Sequence, residues 1–130
     1  MVKARVLASL CLAMTSFMGS VAAGQSVFEF DRWMQKIERR TLSAQRHLKR
    51  SEVEEAIADT REVQALYERM ADYFARRGNP DAEKISRTGI DLAARIIRSA
   101  AARDFAGAQR SATALAKDCR QCHADHKPLD

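Results

Sequence analysis

Glycine and proline are scarce in this chain, five and two residues of 130, and aromatic residues make up only 6%. Turn-dense all-β architectures draw on glycine and proline, and strands favour aromatic and β-branched side chains. These shortages exclude a β-sandwich, a TIM barrel and a Rossmann domain. There is no glycine-rich phosphate loop, no nucleophile elbow and no internal repeat. No nucleophile stands beside a placed base, and no paired carboxylates mark a pocket, so enzyme activity is not expected. What the chain does have is alanine, arginine, glutamate and leucine in quantity, the composition of helices. Its length suits one small globular domain.

Twenty-two Lys and Arg against 17 Asp and Glu give a net charge of +5 and a pI near 9.4. Part of that charge belongs to the first residues. Lys3 and Arg5 precede an apolar run from Val6 to Met18, and Ser20, Ala22, Ala23 and Gly24 supply small residues. This is the pattern of a secretory signal peptide over residues 1–23, cleaved between Ala22 and Gly24. The apolar run falls short of the roughly 20 residues that span a bilayer, so no stable membrane insertion is expected after cleavage. Removing it takes away Lys3, Arg5 and no acid, lowering the net charge to +3. That charge is too small, and too poor in interleaved aromatics, to point to nucleic acid. The exported domain, 24–130, keeps Cys119, Cys122, Met34, Met70, His47, His123 and His126.

Hydrophobic periodicity divides the domain into four helices. Ser26 to Glu29 and Ser51 to Glu54 read as capping boxes. They open stripes of Phe30, Met34, Ile37, Thr41, Ala44 and Leu48, then of Val53, Ala56, Thr60, Val63, Tyr67, Met70 and Phe74. Gly78 suits a left-handed cap, Asn79 an N-cap and Pro80 a first helical position. The third stripe is Ile85, Gly89, Leu92 and Ile96. Asp104 can cap the fourth helix, whose stripe is Phe105, Ala108, Ala112, Leu115, Cys119 and Cys122. Helices of 20–25 residues joined by a few residues must lie antiparallel. The expected fold is all-α, an up-down-up-down four-helix bundle.

Cys119-Arg-Gln-Cys122-His123 matches C-x-x-C-H, the c-type haem attachment motif. Two thiols one helical turn apart can form thioethers with the two vinyl groups of one porphyrin, and the next residue, His123, can ligate the iron. The expected cofactor is therefore one covalently attached haem c. Such haem is attached outside the bacterial cytoplasm, which agrees with export and places the protein in the periplasm. Three other readings compete. A thioredoxin-like dithiol needs a βαβ setting. A Cys119–Cys122 disulfide in a haem-free helical protein leaves His123 unexplained. A zinc site from Cys119, Cys122, His123 and His126 crowds four ligands into eight residues. Should His123 not ligate, His126 is the spare.

In such a bundle the end of helix four shares a level with the start of helix one and the end of helix two. Met34 and Met70 then lie at the depth of the motif, with Phe30, Phe74 and Ile85 as apolar walls. Gly89 can admit a flat macrocycle or a tight helix crossing. His47 lies 13 residues beyond Met34, about 20 Å away, and is rejected as a ligand.

A secreted four-helix bundle with one CxxCH at the end of its last helix resembles the class II c-type cytochromes, the cytochrome c′ group. The resemblance implies that Lys127, four residues after His123, lies beside the haem where members usually carry Arg; here Pro128 follows at once. It also implies that the distal residue comes from helix one. The segment Met34-Gln-Lys-Ile37 is similar to that of low-spin members, where a Met is the sixth ligand. A homodimer through helices one and two is implied as well. With His123 and Met34 on the iron the protein is an electron carrier serving periplasmic redox partner proteins. With the distal face open it is a five-coordinate protein that binds nitric oxide or carbon monoxide.

Overall fold

The computed structural model describes residues 27–125. The segment 1–23, Ser26 of the first capping box, His126 and Lys127 lie outside the described residues. Four helices form: α1 (Val27–Lys49), α2 (Val53–Arg76), α3 (Pro80–Ala101) and α4 (Phe105–Asp125). Consecutive helices pack along their lengths and α1 closes the ring against α4, the loosest of the four pairings. This is the antiparallel up-down-up-down bundle that the periodicity implies.

All three turns use the same device. Each is three residues long, and its middle residue is left-handed: Ser51 at φ 60°, Gly78 at φ 64° and Arg103 at φ 57°. The amide after each reaches back five residues, Glu52 to the His47 carbonyl at 3.0 Å, Asn79 to Phe74 at 3.1 Å and Asp104 to Ser99 at 2.8 Å. These are Schellman caps, which satisfy the carbonyls left over at a helix end. The residue that closes each cap is also the N-cap of the next helix. Asn79 accepts from the Ala82 amide at 3.1 Å and Asp104 from the Gly107 amide at 2.8 Å. The expected box at Ser51 to Glu54 does not form. Ser51 is spent as the left-handed residue of the turn, and Glu52, which makes no side-chain cap, starts α2 instead.

Bulky and small faces interlock. On α1 and α2 the core is Phe30, Trp33, Ile37, Leu48, Val63, Leu66, Tyr67, Met70, Tyr73 and Phe74. Facing them, α3 buries Ala82, Ser86, Gly89, Ala93, Ile96 and Ala100, and α4 buries Gly107, Ala108, Ala112 and Leu115. The α3 stripe is thus rotated from the one the apolar residues alone suggest, because alanine, serine and glycine take the seam while Ile85 and Leu92 are only half-buried. Close packing rewards that large-against-small arrangement.

His47 lies in a charged seam between α1 and α2. Its Nδ1 meets Glu52 at 2.5 Å; next along, Arg40 bridges Asp59 at 2.8 Å and Glu62, which also holds Lys36. That is an interface histidine, as its position along α1 implies.

Candidate functional site

The looser α1–α4 seam leaves a cavity of about 260 Å³ at the level of the last turns of α4. Met34, Ile37, Thr41 and Leu42 line it from α1, Tyr67 and Met70 from α2, Ile85 from α3, and Cys119, Cys122 and His123 from α4. So the cysteine pair, the histidine and both methionines of the expected site border one space, although they come from three helices. Apart from Glu38 and Arg120, the walls are largely apolar. The volume is close to the lower end of small-molecule pockets, about 300 Å³.

Phe30 and Phe74 are not among these walls. They pack with Tyr73 and Trp33 in an aromatic cluster, Phe30 stacked on Tyr73 at 4.8 Å and Phe74 edge-on to it at 5.3 Å, with the Arg77 guanidinium 3.6 Å from the Tyr73 centroid. Helical depth alone sets how far along the bundle a residue sits. Tyr73, which the stripe omits, draws both phenylalanines to itself.

Two residues not expected in the site stand at the cysteines, Tyr67 from the apolar stripe of α2 and Asp118, which the stripes omit. The Tyr67 hydroxyl lies 3.0 Å from Cys119 Sγ. Burial, then the neighbouring Cys119, drives the phenol well above its ordinary range, so it stays protonated. Asp118 is buried one turn before Cys122, and its Oδ2 has no partner among the described residues. Burial lifts its carboxyl from 3.8 to about 6. The signal was present, since Asp118 falls three residues after Leu115 and four before Cys122, on the buried seam.

Gly89 has its explanation in a tight crossing. A Cβ there would stand 2.6 Å from Tyr67 Cζ, inside the ring's contact distance. The missing side chain lets the tyrosine lie flat against α3 and reach Cys119.

Both cysteines are free thiols, Cys119 half-buried and Cys122 buried. Burial raises the Cys119 thiol, opposed in part by the Tyr67 hydrogen bond, and raises Cys122 to about 11. Neutral thiols of this kind are unlike the acidic thiolate of a redox-active dithiol. Among the described residues no three His, Cys, Asp or Glu side chains converge as a metal-holding set. That weighs against the Cys119, Cys122, His123 part of a zinc site. It does not bear on haem iron, which takes only one histidine from this motif. A covalently held haem fits the donor set and the apolar lining. Thr41 Oγ1, buried on the cavity wall without a hydrogen-bond partner among the described residues, is a polar atom that a bound group could satisfy.

The chain matches no family model, no curated protein and no solved structure. None of the described helices is long and apolar enough to cross a membrane.

Proposed function

We propose that this protein is an exported monohaem c-type cytochrome of the class II kind, working as a periplasmic electron carrier. The observation that carries the reading is that Cys119, Cys122 and His123 border the same apolar cavity as Met34. When bound, the haem supplies a one-electron couple. The polypeptide supplies everything else. Cys119 and Cys122 would anchor the group through thioethers, and His123 would ligate its iron. Met34 would be the distal ligand, favoured over Met70 because the resemblance puts that residue on helix one and because Met34 is half-buried at the cavity while Met70 is 2% exposed within the core. Ile37 and Ile85 exclude water, which with a neutral thioether ligand raises the potential and limits reorganisation. Lys127 is assigned to the haem periphery. Lys117 and Arg120, exposed on α4, offer positive charge to an acidic redox partner.

Co-expression with cytochrome-maturation machinery should give a red protein whose mass exceeds the polypeptide by one haem and whose colour survives acid-acetone extraction. Its reduced form should be low-spin and indifferent to carbon monoxide, and Met34→Ala should bind the gas rapidly. Rapid binding by the unsubstituted protein would assign the open-faced, gas-binding alternative. Export as apoprotein mass alone would overturn the haem reading and leave the disulfide-bearing helical protein.

A further inference from the structure

At the other end of the bundle, α3 and α4 border a second, polar and open concavity of about 280 Å³. Arg95 and Arg98 project into it from the last turns of α3 and Arg110 from the second turn of α4, with Ser99, Ser111 and Asp104 completing the wall. Arg110 precedes Cys122 by 12 residues on one helix, about 18 Å, so this concavity is separate from the cysteine site.

Three guanidiniums around one concavity repel one another, and ordinary surface pairing does not relieve them. No ion pair of the described residues includes Arg95, Arg98 or Arg110. Asp91 stands one turn before Arg95 without pairing to it. The acid in the wall, Asp104, keeps its negative charge while its Oδ1 accepts the Gly107 amide at 2.8 Å, so the concavity carries three positive charges against one negative. A helix dipole accounts for Arg98, in the last turn of α3, where a cation is favoured. It does not account for Arg110, near the start of α4, where a cation gains nothing. Planar, permanently charged forks beside two serine residues match the oxygens of a tetrahedral anion, which arginine binds bidentately.

We propose that the Arg95–Arg98–Arg110 concavity is a binding site for a phosphate group, carried either by a small soluble phosphate or by the headgroup of an anionic phospholipid. The site is independent of haem.

Calorimetric titration of the full exported chain with inorganic diphosphate, at fixed low ionic strength, should give saturable one-site binding. The doubly substituted Arg98→Gln, Arg110→Gln protein should bind at least tenfold more weakly, since each lost charge-assisted contact is worth about a factor of ten. Arg69→Gln, an exposed arginine on α2 with the same charge change, should bind as the parent does. Both arginines of the double variant are exposed, so circular dichroism should be unchanged and melting should move only slightly, the dipole contact of Arg98 and the repulsion among the guanidiniums being small opposing effects. Co-sedimentation with phosphatidylglycerol vesicles against phosphatidylcholine vesicles identifies the source. Recruitment that the double substitution abolishes assigns a lipid headgroup, and diphosphate binding without recruitment assigns a soluble phosphate. Absence of both overturns the proposal. So does an equal loss in Arg69→Gln, which would reduce the effect to net charge.

Discussion

Gly89→Ala tests the tightest contact in the bundle. In an open helix the change would stabilise the protein by about 0.5–1 kcal/mol, because glycine loses more backbone entropy on folding. Here the new Cβ would stand 2.5 Å from Tyr67 Cδ1 and 2.6 Å from Cζ, where real Cβ atoms are essentially never found. The ring is 3% exposed and cannot swing into solvent. Forcing such an overlap costs about 1–3 kcal/mol, leaving the variant about 1–2 kcal/mol less stable. For a domain near 100 residues that lowers Tm by about 5–15 °C. Urea unfolding of both single variants and the double variant isolates the cause. Tyr67→Val removes all three ring atoms in contact, and in that background Gly89→Ala should become stabilising by about 0.5–1 kcal/mol. The coupling is then about 2 kcal/mol, within the range for touching residues. A stabilising Gly89→Ala in the parent, or coupling below about 0.5 kcal/mol, would refute this account of why a glycine stands in the middle of α3.

Asp118→Asn tests the buried carboxyl. Its folded value, lifted from 3.8 to about 6, means that folding takes up a proton between those limits. The parent is therefore most stable below the lower value and loses about 2 kcal/mol as pH rises through the upper one, the full shift of about 3 kcal/mol being reduced by solvent screening of a carboxyl that is not fully enclosed. Urea unfolding should show the variant gaining on the parent from pH 4 to pH 7, and a pH-independent difference would contradict it. Tyr67→Phe removes the 3.0 Å contact to Cys119, so the apoprotein should lose about 1 kcal/mol and its Cys119 thiol should move further up, alkylating more slowly at pH 8.5. An unchanged alkylation rate would count against that contact. Ser51→Gly and Arg103→Gly should each raise stability by about 0.5–1 kcal/mol in thermal unfolding, since both hold left-handed backbone that glycine adopts without strain.

The amino-acid sequence by itself determined four helices, their antiparallel order and the level of the chemistry along them. Periodicity fixes which side of a helix is apolar, and three-residue turns leave little choice of direction. It also determined that Cys119, Cys122 and His123 occupy one helical turn, because local spacing survives into any helix. What it did not determine is which side chains meet across helices. That depends on the rotation of each helix and on packing among bulky and small residues, which are collective. Hence Ala82, Ser86 and Ala93 took the seam of α3 in place of Ile85 and Leu92, and Tyr73 gathered Phe30 and Phe74 away from the cavity. Tyr67 came to Cys119 across 52 residues of chain, and Arg110 joined Arg95 and Arg98 across the α3–α4 turn. Only packing in three dimensions could decide those meetings, since each exists by virtue of space that another helix leaves open.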